Sequence, residues 1–186
     1  ISFSTFGLGA WQARLFSALL GIAAIWITFF FVKKFSNATH AFLSALVLAL
    51  STHFLFACRL AVPDPYLIFF TSLGLFAGFA YVQEKNWKWL LLAATGLALA
   101  TLAKGPVALG LPGICLLLLV VFRKHWWVLK DWRLLVAAAL YVVIALPWYY
   151  LVHKATNGAF TQGFFFEHNL NRFSTEMDGH GGPFFL

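Results

Sequence analysis

The sequence predicts an all-α protein, a polytopic bundle of transmembrane helices carrying an extracytoplasmic interfacial amphipathic helix. Three observations predict it. Hydrophobic residues make up 62% of the 186 positions and charged ones only 10%, where a soluble domain is about a quarter charged. The apolar residues collect in six runs close to the length that crosses a bilayer, about 17–25 residues. Short loops rich in Lys, Arg and Trp separate those runs, as they do between membrane helices.

The runs are Leu15–Val32, Ala41–Cys58, Tyr66–Val82, Trp89–Ala103, Pro106–Phe122 and Leu134–Leu151. Trp89–Phe122 is too long for one helix, because at 1.5 Å per residue it would extend about 50 Å. Its middle holds Lys104, Gly105 and Pro106, a break that makes a hairpin turn. Residues 1–151 are therefore expected to form a transmembrane bundle of about six helices. Residues 152–186 are expected to form an extracytoplasmic juxtamembrane region leading to the next membrane helix. The chain starts at Ile1 and stops inside the apolar run GGPFFL, so it is expected to be an internal piece of a longer protein. Cys58 and Cys115 lie far apart in apolar surroundings. Each is expected to be a small buried residue rather than part of a disulfide or metal site.

Alternating helices sort the basic residues. One side receives Lys33, Lys34, Lys85, Lys88, Arg123, Lys124, Lys130 and Arg133; the other receives Arg14, Arg59, Lys104, Lys154 and Arg172. The richer side lies in three short loops, which the positive-inside rule makes cytoplasmic. Trp87, Trp89, Trp126, Trp127 and Trp132 crowd the same loops, as interfacial anchors do. The net charge of +7 is thus accounted for by topology and gives no reason to invoke nucleic acid.

The outer side collects isolated ionisable groups. Arg14 opens the first run, Arg59 ends the second, Asp64 starts the third and Lys104 turns the fourth into the fifth. Each alone is equally well explained as a charge snorkelling at a helix end. Together, three cations and a carboxylate at one depth suggest a held anion, and the natural anion there is a lipid phosphate. Asp64 lies between Pro63 and Pro65. The two rings favour a stiff extended turn, which suits an aimed carboxylate and a plain connection equally.

The closing stretch FFFEHNLNRFSTEMDGHGGPFFL, residues 164–186, is polar between phenylalanines. On a helix, Phe166, Leu170, Phe173 and Met177 form one apolar stripe, with Glu167, His168, Asn171, Arg172 and Thr175 opposite. Such a segment lies in the outer interface and does not span. His168 and His180 match no zinc spacing. No Ser-His-Asp or HExxH arrangement supports a protease.

In that order, ARLFSALLG, CRLAVPDPYLIFF, GLALATLAKGPVALGLP, ALPWYYLVHKATNGAF and the closing stretch resemble the bacterial protein-mannosyltransferase and aminoarabinose-transferase family of the GT-C class. The resemblance covers nearly the whole chain, and its most specific parts are the closing motif and the LAKGP hairpin. It implies a GT-C-like membrane enzyme that takes a sugar from a polyprenyl-phosphate donor, undecaprenyl in bacteria. The acceptor would be a lipid, glycan or protein hydroxyl. It implies a bacterial inner membrane location, with membrane lipids as neighbours and the active site facing the periplasm. Arg14, Arg59, Lys104 and Arg172 would bind the donor phosphate. Asp64 would be a catalytic carboxylate or a structural partner of Arg59, and His168, Asn169 and His180 would contact sugar or acceptor. No cofactor is certain. A divalent metal ion is left open, with Glu167 and His168 as its ligands. The acid of the family's first outer loop would precede Ile1. The alternative is a transporter or flippase of lipid-linked substrates, which would place its charges near the bilayer midplane and in repeated halves.

Overall fold

The computed structural model describes residues 10–105, 107–158 and 160, with side chains from Arg14 onward. Among them are seven α-helices and one 3-10 turn. In chain order these are α1 Ala10–Phe35, α2 Ala38–Leu50, α3 Thr52–Arg59, α4 Asp64–Glu84, α5 Trp87–Lys104, α6 Val107–Phe122, the turn Val128–Lys130, and α7 Arg133–Ala155. The described part of the protein is all-α, as the sequence predicts.

Three helices are long and apolar enough to cross a membrane: Arg14–Phe35 of α1, then α4 and α7. The pair α2 and α3 makes a fourth if it is taken as one bent span. The sequence predicts a single run over Ala41–Cys58, but the chain bends by 61° between the two helices. Ser51 adopts an extended conformation (φ −63°, ψ 115°) and caps neither helix with its side chain. Neighbouring Ser51 and Thr52 offer the backbone alternatives to helix, which is where a break forms most readily. The closing motif lies outside the described residues, and with it the amphipathic helix expected over 164–177.

The described residues form two compact units, one ending at Ala145 and one beginning at Leu146. In the first, α4 is central and packs on α1, α3, α5 and α6. Of its span 39% is buried, against 17% for α1 and 11% for α7. Close approach of α4 and α5 depends on glycine. A Cβ at Gly96 would lie 3.0 Å from the Gly74 nitrogen and the Phe70 carbonyl oxygen, and one at Gly74 would lie 2.8 Å from Leu97. Small residues at helix crossings permit this in membranes, where dispersion contacts replace the hydrophobic drive. The bundle's outward positions are large and apolar, for example Val47, Phe122 and Leu135. In the second unit the Trp148 ring meets those of Tyr149 and Phe160 edge-on.

One end of the first unit is tied by polar contacts. Glu84 accepts from Lys34 at 2.7 Å and from the Trp89 indole at 2.7 Å. The Lys34 ammonium also sits 4.4 Å from the Trp89 ring. Lys85, left-handed at φ 56°, ends α4 and places its ammonium 5.1 Å from the Trp127 ring. The buried Tyr81 donates its hydroxyl to Asp131. That bond, the Arg133 N–H and the nearby Arg133 charge hold the Asp131 carboxyl below its ordinary range. Two of the predicted tryptophan anchors, Trp89 and Trp127, are therefore also structural ties. Cys58 is buried beside Phe54 and Ala24 as expected. Cys115 is exposed, contrary to expectation, because it lies on a face of α6 that lines a groove instead of a packed contact.

Candidate functional site at the Asp64–Lys104 end

The opposite end of the first unit gathers four of the predicted outer residues, Arg14, Arg59, Asp64 and Lys104. Asp64 is the first residue of α4, and the chain there is helical where an extended turn was expected. Pro63 adopts a right-handed helical conformation (φ −74°, ψ −9°), and its carbonyl accepts from Leu67 at 3.1 Å. Pro65 suits the first helical turn, where its missing N–H has no partner to lose, and it is fully buried. Asp64 thereby sits on a fixed mount at a helix N-terminus, where the helix dipole favours a carboxylate.

Lys104 is the last residue of α5, where the dipole favours a cation. Its C-cap, Gly105, has φ 89° and ψ −175°, a region that only glycine adopts freely. The chain turns there into α6, so the expected hairpin is present. Lys104 donates its ammonium to the Asp64 carboxylate across 40 residues. The side chains remain 53% and 36% exposed, so the pair contributes little stability, of the order of 0–1 kcal/mol. Such a pair opens easily to a third charged group. Of the two roles left open for Asp64, partnership with Arg59 is not what the structure shows; the partner is Lys104.

Arg59 ends α3 and Arg14 lies near the start of α1; both are exposed. Neither has an ion-pair partner among the described residues. A depression of about 310 Å³ lies between Ser17, Ala61, Val62, Pro63, Tyr66 and Ala103. Each predicted group is a near neighbour of a lining residue. Arg14 precedes Ser17 by one helical turn, Arg59 lies two residues before Ala61, and Asp64 and Lys104 directly follow Pro63 and Ala103. A second cavity of about 360 Å³ lies between α4 and α6 beside Lys104. Its walls include Leu67, Ile68, Val107 and Leu111, with Thr71 also lining it. The Thr71 hydroxyl is buried and has no hydrogen-bond partner among the described residues, whereas Thr28, Thr95 and Thr101 each bond the carbonyl four residues back. Sequence reasoning missed Thr71, because nothing in its spacing separates it from those three.

The remaining site residues, Glu167, His168, Asn169, Arg172 and His180, lie outside the described residues. Among the described residues no group of three or more His, Cys, Asp or Glu could hold a metal ion, and the expected ligands Glu167 and His168 are not among them.

A charged rim over an apolar cavity on a multi-pass bundle is the setting in which the relatives become informative. Residues 1–151 match the family described as dolichyl-phosphate-mannose-protein mannosyltransferase. The chain belongs to this family. Two uncharacterised proteins of Aquifex aeolicus (strain VF5) are similar. One is 32% identical over 188 residues, covering all of this chain and 41% of its own length. The other is 30% identical over 159 residues, covering 83% and 32%. Among solved structures, the crystal structure of ArnT from Cupriavidus metallidurans bound to undecaprenyl phosphate superposes with a TM-score of 0.80 at 26% identity, over 90% of this chain and 32% of that one. The apo form gives 0.81 at 25% identity, over 97% and 33%. The chain thus spans about two fifths of the first Aquifex relative and a third of ArnT. The GT-C architecture expected from the sequence motifs is the fold of this multi-pass membrane protein.

Proposed function

We propose that the protein containing this chain is a glycosyltransferase that moves a sugar from a polyprenyl-phosphate carrier to a lipid, glycan or protein hydroxyl. The observation that carries the reading is the pairing of Lys104 with Asp64 at the edge of a depression flanked by Arg14 and Arg59. The undecaprenyl phosphate bound to ArnT supports a carrier of that class. The lysine-rich loops support a cytoplasmic position for the other end. The site then faces the periplasm from a bacterial inner membrane.

In the proposed reaction the acceptor oxygen attacks the anomeric carbon as the carbon–oxygen bond to the phosphate breaks. The phosphate leaves with the bonding electron pair, and a carboxylate takes the hydroxyl proton. The leaving group is a stable anion, so cations aid it more than a general acid does. Arg14, Arg59 and Lys104 would supply that charge, with Arg172 from the closing motif. Asp64 would hold Lys104 in place until the phosphate draws it away. Asp64 would then be free to accept that proton. His168, Asn169 and His180 are assigned to the sugar and acceptor side, and Glu167 with His168 to a divalent ion if one is bound. The transporter reading gains nothing from the described helices, whose charges sit at their ends.

The test is sugar transfer by the full-length protein from a polyprenyl-phosphate sugar. Arg59→Ala and Lys104→Ala should each lower turnover about a hundredfold, the usual cost of losing one charge-stabilising group. The single displacement should invert the anomeric configuration. Intact turnover in both variants, or a retained product, would sink the scheme.

A further inference from the structure

At the far end of the bundle from Asp64 lies a groove that the proposed reaction does not use. Its volume is about 420 Å³. The floor is α4, on which α1 and α6 both pack. Phe31 and Phe35 of α1, Phe76 and Phe79 of α4, and Cys115 and Leu119 of α6 line it. The walls are held by ring contacts, Phe31 stacked on Phe76 at 4.9 Å and Phe35 edge-on to Phe79 at 5.1 Å. All three helices run towards this mouth and end there. Ser36, at the end of α1, is itself in the lining. One turn beyond Phe79 on the same face of α4 is Gln83, and just past the end of α6, four residues after Leu119, is Arg123, whose N–H bonds the Leu119 carbonyl at 3.0 Å. Ser36, Gln83 and Arg123 are all exposed.

The groove is therefore a slot for a hydrocarbon chain, with the Ser36 hydroxyl in its lining, an amide one turn further along α4 and a guanidinium just past the end of α6. The charge there is lopsided. Lys33, Lys34, Lys85, Lys88, Arg123, Lys124, Lys130 and Arg133 face only Glu84 and Asp131 in the loops of that end. Both acids are already engaged, Glu84 by Lys34 and Asp131 by Tyr81 and Arg133. Arg123 has no ion-pair partner among the described residues. The negative ends of three helices converge on the mouth, which by itself disfavours an anion. The unspent cations outweigh them, and the guanidinium fork matches a phosphate.

We propose that this groove binds an anionic phospholipid from the leaflet at the lysine-rich end, with one acyl chain against the phenylalanines and its phosphate at Arg123. Along α4, Phe76 and Phe79 in the groove lie about 18 and 23 Å from Asp64, and Gln83 beyond them about 28 Å. This lipid is thus distinct from any carrier held at the Asp64–Lys104 end.

The test is native mass spectrometry of the full-length protein released from mixed micelles of phosphatidylglycerol and phosphatidylcholine with identical acyl chains. Phosphatidylglycerol should be retained about fivefold over phosphatidylcholine, the worth of one basic side chain at an anionic surface. Arg123→Gln should abolish that preference, and Cys115→Trp, which fills the slot, should reduce retention of both lipids. Equal retention by the wild type overturns the proposal. So does a preference that survives Arg123→Gln, or retention unchanged in Cys115→Trp. A further helix of the whole protein seated in the slot would show as no retained lipid, and would overturn it as well.

Discussion

Thr71 and Asp131 show what single residues contribute in a bundle with few polar groups. The Thr71 hydroxyl is buried without a partner among the described residues, and an unpaired buried hydroxyl costs stability that an apolar isostere does not. Thr71→Val should therefore leave the melting temperature in detergent unchanged or raised, where most core substitutions lower it. A clear drop would mean that the hydroxyl has a partner in the whole protein. Asp131 behaves oppositely. Its folded-state carboxyl titrates below the ordinary range, chiefly through the Tyr81 hydrogen bond. Such a group contributes stability that is present above its unfolded value, near pH 4. The contribution is lost as the pH falls through the folded value. Tyr81→Phe should melt lower than wild type at neutral pH, and the gap should narrow on acidification below about pH 4. A gap independent of pH would mean that Tyr81 acts through packing alone. Asp64, Arg14, Arg59 and Lys104 were legible in the sequence as isolated charges next to apolar runs. The pairing of Asp64 with Lys104 was not, because 40 residues separate them and Arg59 is the nearer cation in sequence.

Element boundaries followed the apolar runs closely, and the exceptions have local causes. The LAKGP turn was legible because Gly105 takes a backbone conformation that few other residues tolerate. The bend between α2 and α3 was not, since Ser51 and Thr52 occur in continuous helices too. The α4–α5 crossing depends on Gly74 and Gly96 facing each other, which no periodicity in either helix reveals. Gly96→Leu should push the helices apart and destabilise the bundle by about 1–3 kcal/mol, the usual cost of overpacking. Thermal unfolding in detergent would measure it, and an unchanged melting point would show that the crossing has slack.

For the whole molecule the decisive quantity is sidedness. Single cysteines introduced at Lys124 and Ala61, on a background without Cys58 and Cys115, should react with a membrane-impermeant maleimide from opposite faces. In right-side-out vesicles only the Ala61→Cys protein should be labelled, and in inverted vesicles only Lys124→Cys. The reverse pattern would move the Asp64–Lys104 end to the cytoplasm and remove the periplasmic assignment. The sequence by itself determined that this is a membrane protein, roughly where its helices start and stop, and that Arg14, Arg59, Asp64 and Lys104 share an end. Those properties follow from bilayer thickness and helical rise, which act along the chain. Only the tertiary structure decided which charges pair, where helices cross on glycine, and where apolar grooves remain open. These depend on contacts between residues distant in sequence, and a run of leucine and phenylalanine looks the same whether it meets another helix or lipid.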